Sequence, residues 1–332
     1  MILDLISLVV GLGLLVYAAD NFVLGSARLA TLLDMSPVVI GAVVMGFGTS
    51  APEMLVSAIA AGGGDRDLGV GNIVGSNVAN LTLVLGTAAF VTRMTISRTT
   101  VRREIPLAIG ASIVFAVFVV DGELARWEGA VLAAGLVAVV GFLVRQGLAE
   151  DVVDDDGDEP LELRQEVLRA GGGLVGTVIG AQLVVWGATG VADAWGVSGG
   201  FIGFSLVALG TSLPELVTCV ACARRSETEL IVGNLFGSNI FNSLAVGGAM
   251  GLVGPGDIGD DLLTGVGLAL MLAIAFIALG LAAKGLFVDR RDGIVLLTLY
   301  VACMAVLGFG AEDDGDDESL DPARIEVVTD SG

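Results

Sequence analysis

Residues 36–80 and 198–242 are one segment present twice. They align at a constant offset of 162 without a gap, and 17 of the 45 positions are identical, where composition alone gives roughly three to five. The identities gather in two motifs. The first is Gly48-Thr49-Ser50-Ala51-Pro52-Glu53, repeated as Gly210-Thr211-Ser212-Leu213-Pro214-Glu215. The second runs from Gly71-Asn72 through Gly75-Ser76-Asn77 to Asn80, repeated from Gly233-Asn234 through Gly237-Ser238-Asn239 to Asn242. Each copy therefore sets a proline and a carboxylate side by side within an apolar run, and the fold must accommodate that twice.

The runs around the motifs are long enough to cross a hydrocarbon core of about 30 Å. Hydrophobic residues make up 55% of the chain and the mean hydropathy is +0.87, which excludes an ordinary soluble domain. Ten spans are expected, near 2–32, 36–62, 68–92, 104–121, 126–147, 166–194, 198–223, 228–253, 261–283 and 292–311. No basic region precedes the first, so it reads as a retained helix and not as a signal peptide. The second motif copy follows five spans after the first, an odd number, so the halves cross the membrane in opposite senses. The expected architecture is an all-α polytopic membrane protein of ten transmembrane helices in two inverted five-helix repeats. Residues 1–147 form the first repeat (motif 46–80) and 166–311 the second (motif 208–242). An acidic cytoplasmic linker, 148–165, joins them, and an acidic tail, 312–332, follows.

Orientation follows the distribution of Lys and Arg. With the N-terminus outside, 13 of the 16 basic residues fall on the cytoplasmic side, leaving only Arg66, Arg126 and Arg324 outside. Both termini are therefore expected outside, in a multi-pass protein of the cell membrane.

The chain carries 37 acidic residues against those 16 basic ones, and most lie in connections and termini. The runs Asp154–Glu159 and Glu312–Glu318 do not fit a calcium-binding EF-hand loop, which needs Asp five residues before its Gly; Val152 and Gly310 stand there. They read as solvated acidic surface, of the kind a halophilic prokaryote carries. No basic patch points to nucleic acid, and no obligate protein partner is evident. Cys219 and Cys222 are spaced as C-x-x-C, yet the chain has no His and no second pair, so they read as small packing residues.

The motifs carry the chemistry. Pro52 lacks the N–H that would bond the Gly48 carbonyl, and Pro214 does the same to Gly210, so each helix is expected to kink or unwind there. Such a break is tolerated at membrane depth only where it lines a cavity or a site. Ser50-x-x-Glu53 and Ser212-x-x-Glu215 also read as capping boxes. A carboxylate at the centre of a span costs about 3 kcal/mol even on the mildest scale, and doing this twice at symmetric positions points to a cation. The donors are Glu53 and Glu215, the hydroxyls of Thr49, Ser50, Thr211 and Ser212, freed carbonyls, Ser76 and Ser238, and the motif asparagines. Among these, Asn80 and Asn242 share a helix face with the two serines. All are hard oxygen donors, which favours Ca²⁺, Na⁺ or Mg²⁺ over zinc or copper. Two glutamates neutralise one Ca²⁺ and are over-neutralised by three Na⁺. Exchange of one for the other would then respond to voltage, at about 2.3 kcal/mol per charge per 100 mV. Elsewhere, Asp20 beside Asn21 reads as a gate, an accessory proton site or a satisfied polar pair, and Glu104 beside Arg102 and Arg103 as an interfacial charge.

The paired motifs resemble the α-repeats of the sodium/calcium exchanger family within the calcium/cation antiporter superfamily. The ten-span layout extends that resemblance over nearly the whole chain. The Thr-Ser pairs look like the sodium-coupled branch and unlike the calcium/proton antiporters. The resemblance implies ion ligands at Thr49, Ser50, Glu53, Ser76 and Asn80, and at Thr211, Ser212, Glu215 and Ser238, with backbone carbonyl ligands at Gly46 and Ala208. It also implies three sodium sites competing with one calcium site, and helices one and six sliding over a rigid bundle. Asn242 is a departure, since some prokaryotic and potassium-dependent members have Asp there.

Taken together, the expected function is Na⁺/Ca²⁺ antiport by alternating access, with both ions competing for a midplane site between Glu53 and Glu215 and with no cofactor. A Ca²⁺/H⁺ antiporter is the alternative. An intramembrane protease using the paired acids, or a passive channel, is the reading from a different class.

Overall fold

The computed structural model describes residues 2–147, 161–194 and 211–317, and these are almost entirely helical. In chain order the helices are α1 (Ile2–Leu32), α2 (Pro37–Thr49), α3 (Ala51–Gly62), α4 (Arg66–Val91), α5 (Arg98–Arg102), α6 (Glu104–Val119), α7 (Arg126–Gly147), α8 (Leu163–Ala194), α9 (Leu213–Arg225), α10 (Thr228–Val253), α11 (Leu263–Gly285) and α12 (Arg290–Asp317). By length and composition, six of these could cross a membrane: α1, α4, α7, α8, α10 and α11. The bent pair α2 and α3 makes a seventh. The protein is thus an all-helical polytopic membrane protein. Of the run expected at 198–223, only Thr211 onward belongs to the described residues, and the acidic stretch 154–159 lies outside them.

Burial separates centre from periphery. The most apolar stretch of α10 is wholly buried and that of α4 is 78% buried, whereas those of α1 and α7 are 22% and 17% buried and present apolar side chains outward. Helices apolar all round belong in a membrane or a large core. The motif helices occupy the centre because their small residues let backbones touch. A Cβ on Gly237 would lie 2.5 Å from the Ala42 Cα, and one on Gly233 would lie 2.2 Å from the Val38 carbonyl oxygen. Helix α2 of the first repeat is therefore pressed backbone to backbone onto α10 of the second.

At the periphery, α1 and α8 form a tightly matched pair. Arg28 bonds Glu166 at 3.1 Å, and Arg169 approaches the other oxygen of Glu166 at 3.5 Å.

Two small antiparallel ladders also tie the repeats together. Met94–Thr95 (β1) pairs with Phe287–Val288 (β4), and Glu123–Leu124 (β2) with Gly256–Asp257 (β3). The offset of 162 carries β1 onto β3, so the two ladders are counterparts under the internal repeat.

Candidate ion-binding site

From Ser50 and Ser212 onward, the two proline-glutamate motifs adopt the same local structure. Ser50 (φ −84°, ψ 1°) and Ser212 (φ −89°, ψ 1°) each occupy the N-cap position, before Ala51-Pro52-Glu53 and Leu213-Pro214-Glu215. In the first copy the helix bends by 44° between Thr49 and Ala51. The break is a kink of one residue, since Ser50 N–H still bonds the Gly46 carbonyl at 3.1 Å and Met54 N–H bonds Ser50 at 3.1 Å.

The capping-box expectation fails at both positions, because neither serine side chain caps its helix. An N-cap oxygen accepts from the N–H of the second or third helical residue. Proline at the second position removes one of those donors, and neither serine takes up the other, the N–H of Glu53 or Glu215. The hydroxyls of Ser50 and Ser212 are buried without a hydrogen-bond partner among the described residues.

Around these kinks the expected ligands converge. Thr49, Ser50, Glu53, Ser76, Asn80, Ser212, Glu215, Ser238 and Asn242 are all at most 4% exposed. Thr49 Oγ1 donates to the Met45 carbonyl at 3.0 Å, with Asn234 Oδ1 at 3.3 Å and Ser238 Oγ at 3.4 Å. Glu215 lies near Thr49 and Ser50 of the other repeat, although neither contact meets ordinary hydrogen-bond geometry. The Glu53 carboxylate is close enough to that of Glu215 to feel its charge. Gly46 packs on Ser238, a Cβ there meeting its backbone N at 2.8 Å. Thr211 is partly buried. Ala208 lies outside the described residues.

Thirteen buried side-chain N and O atoms lack a partner among the described residues, and nine belong to Ser50, Glu53, Asn80, Ser212, Glu215 and Asn242. Buried polar groups are nearly always bonded, and a buried carboxylate left alone is costly. Eight of the nine are oxygens, which one coordinated cation would satisfy together, while Asn242 Nδ2 is a donor that it would not; a set of two carboxylates with neutral oxygens suits a hard ion.

Not every motif asparagine joins this set. Asn72 donates to Ser57 Oγ at 2.9 Å and to the Glu53 carbonyl at 3.3 Å. Its counterpart Asn234 donates to Cys219 Sγ at 3.4 Å while approaching Thr49. Asn77 donates to Ser243 Oγ at 3.0 Å, and Asn239 Oδ1 accepts from Asn80 Nδ2 at 3.0 Å. These side chains position their neighbours, and the repeat pattern alone does not separate them from ligands. The sequence reading also missed the π-helical turns Asn80–Val84 and Phe241–Val246 that follow the second motif in each repeat. Such turns often mark functional sites.

Outside the site, Asp20 is 51% exposed and pairs with Arg225 at 2.5 and 2.7 Å; Asn21 bonds the Tyr17 carbonyl instead. Glu104 is buried and pairs with Arg103. Cys219 and Cys222 are buried free thiols. An apolar cavity of about 610 Å³ abuts both kinks, lined by Pro52, Val178, Gln182, Trp186, Thr211 and Pro214.

A helical membrane fold that buries two repeated proline-glutamate motifs at its centre is that of a membrane transporter. Comparison with known proteins gives the same class. The family described as "Sodium/calcium exchanger protein" matches the chain twice, over residues 3–145 and 167–309. Inner membrane protein YrbG of Escherichia coli is 35% identical over 320 residues, covering 92% of this chain and 97% of that protein. Sodium/calcium exchanger MaX1 of Methanosarcina acetivorans is 30% identical over 340 residues, covering 90% of this chain and 97% of its own length. The structure of the sodium-calcium exchanger NCX_Mj soaked with Na⁺ and Sr²⁺ superposes with a TM-score of 0.81 at 33% identity, covering 92% of this chain and 98% of that one. The chain belongs to the sodium/calcium exchanger family, and it is a transporter and not an enzyme.

Proposed function

We propose that the protein is a secondary antiporter exchanging Na⁺ for Ca²⁺ across the cell membrane. Its ten spans form two inverted five-helix repeats, 1–147 and 166–311, with both termini outside and the acidic segments 148–165 and 312–332 as solvated linker and tail. Ca²⁺ and Na⁺ compete for oxygens of Glu53, Glu215, Thr49, Thr211, Ser50, Ser212, Ser76, Ser238, Asn80 and Asn242, with the carbonyls of Gly46 and Ala208. The observation that carries this reading is the pair of buried glutamates at symmetric positions, whose four carboxylate oxygens have no hydrogen-bond partner among the described residues. The names of MaX1 and NCX_Mj support sodium and calcium as the exchanged ions.

Mechanistically, Glu53 and Glu215 bridge Ca²⁺ when sodium is absent, and Na⁺ takes over their oxygens to expel it. The cavity lined by Gln182, Thr211 and the two prolines is an access route from one side. A ligand shifts access only through different affinities for the two conformations. Exchange is therefore obligatory where both the Na⁺-loaded and the Ca²⁺-loaded site permit closure and the empty site, with its two buried like charges, resists it.

The test is radioactive Ca²⁺ uptake into proteoliposomes loaded with Na⁺ and diluted into Na⁺-free, voltage-clamped buffer, beside the Glu53→Gln protein. Uptake that needs internal Na⁺, responds to voltage and vanishes in the variant is expected. Uptake driven by a pH gradient and indifferent to Na⁺ would transfer the assignment to Ca²⁺/H⁺ antiport.

A further inference from the structure

The two β-ladders share one backbone design and carry opposite charge. The segments 120–128 and 254–261 that hold β2 and β3 contain six acidic residues and one arginine. The segments 92–104 and 284–292 that hold β1 and β4 contain seven basic residues and three acidic ones. Since acids serve the first ladder, forming such a ladder does not require arginines at the second.

The acids at the basic ladder are already engaged. Glu104 pairs with Arg103 and Asp292 with Lys284. Asp289 accepts from the backbone N–H groups of Arg291 and Asp292 at 2.9 and 3.3 Å, which hold its carboxyl below the usual range. Arg93, Arg98, Arg102, Arg290 and Arg291 are exposed, and none forms an ion pair among the described residues. Two open clefts lie among them. One of about 320 Å³ is lined by Phe90, Val91, Arg93, Arg290 and Arg291, with Asp289 also on its wall, and one of about 270 Å³ by Arg98, Arg102 and Leu286. Arg93 lies over the Phe287 ring at 3.9 Å, while Arg290 bonds the Phe90 carbonyl at 3.0 Å and faces its ring at 5.0 Å. One helical turn further into the apolar segments, Phe90, Val91, Ile294 and Val295 are between 44% and 54% exposed. Guanidinium groups thus stand directly above exposed apolar side chains, at the ends of membrane-crossing helices.

We propose that these clefts form a binding site for the headgroup of an anionic phospholipid, its phosphate held by Arg93, Arg290 and Arg291 with Arg98 and Arg102 beside them, and its acyl chain lying along Phe90, Val91, Ile294 and Val295. Basic pockets between membrane helices recognise such headgroups, and arginine matches a phosphate oxygen pair with two parallel N–H donors. The apolar flank selects a lipid over free phosphate. This inference is independent of which ions are exchanged.

Delipidated full-length protein in a neutral detergent is titrated with phosphatidylglycerol or with phosphatidylcholine of the same chains, and bound lipid is counted by native mass spectrometry. Preferential retention of phosphatidylglycerol is expected, weakened roughly fivefold for each arginine lost in Arg93→Gln, Arg291→Gln and Arg102→Gln. Excess inorganic phosphate should leave it in place. Equal retention of both lipids, wild-type retention in the variants, or displacement by phosphate would overturn the proposal. Arg291→Gln alone removes a side chain without a hydrogen bond in the structure, so it keeps the test decisive if a multiple variant fails to fold.

Discussion

Thr49 Oγ1 in the first repeat lies 3.3 Å from Asn234 Oδ1 in the second, and the same carboxamide donates to Cys219 Sγ at 3.4 Å. Asn234 thereby links the kink that carries Glu53 to the helix that carries Glu215. The counterpart Asn72 stays within its own repeat, bonding Ser57 and the Glu53 carbonyl. The two half-sites are alike in ligands and different in how those ligands are held.

Asn234→Leu should therefore weaken ion binding without removing a ligand. The loss leaves buried partners unsatisfied, a cost of about 1–3 kcal/mol. The expected result is a raised half-saturating Ca²⁺ concentration with a smaller change in maximal rate, read from uptake at graded Ca²⁺. Unchanged Ca²⁺ dependence would show that the bridge to Thr49 has no bearing on the site.

Glu53→Gln and Glu215→Gln should each abolish exchange while making the ion-free protein more heat-stable. Each replaces one of two buried carboxyl groups whose oxygens have no hydrogen-bond partner among the described residues, and an uncompensated buried charge costs several kcal/mol. Calcium should raise the melting temperature of the wild type, because it binds the folded state, and leave that of either variant nearly unchanged. A variant less stable than wild type in chelator would contradict this account of the empty site.

Asn242→Asp would add a third carboxylate to a site where both polar atoms of Asn242 are buried and unpartnered. Ca²⁺ affinity should rise with ligand charge and turnover should fall, because release becomes harder. A new dependence on pH should accompany it, since three clustered buried carboxylates do not all stay ionised. Sodium-driven uptake measured across a pH series tests both effects, and identical profiles for the two proteins would exclude a role for position 242 in setting the charge of the site.

Much of this was legible because the chain states it twice. Glu53 and Glu215 could be paired by alignment before any coordinate was known, and a proline beside each dictated a kink. What escaped were relations that no period encodes. The serines looked like caps, yet neither hydroxyl bonds a backbone N–H of its helix, and the proline at the second helical position leaves only one donor in reach. Spacing set Asn80 and Asn242 on the face of Ser76 and Ser238, but it did not show that Asn77 bonds Ser243 or that Asn239 bonds Asn80. Asp20 and Arg225 are 205 positions apart, and only the packing of α1 beside α9 brings them together.

That last pair decides how Asp20 is read. Its carboxylate meets Arg225 at 2.5 and 2.7 Å, but the two side chains are 51% and 31% exposed. Exposed ion pairs contribute about 0–1 kcal/mol, and salt screens them further. An accessory proton site would make exchange sensitive to its removal, whereas a satisfied surface pair would not. Asp20→Asn and Arg225→Gln should accordingly leave the ion dependence of uptake unchanged and shift thermal stability only slightly, with the shift shrinking as salt rises. A changed pH profile in Asp20→Asn alone, with Arg225→Gln silent, would instead make Asp20 a participant in transport.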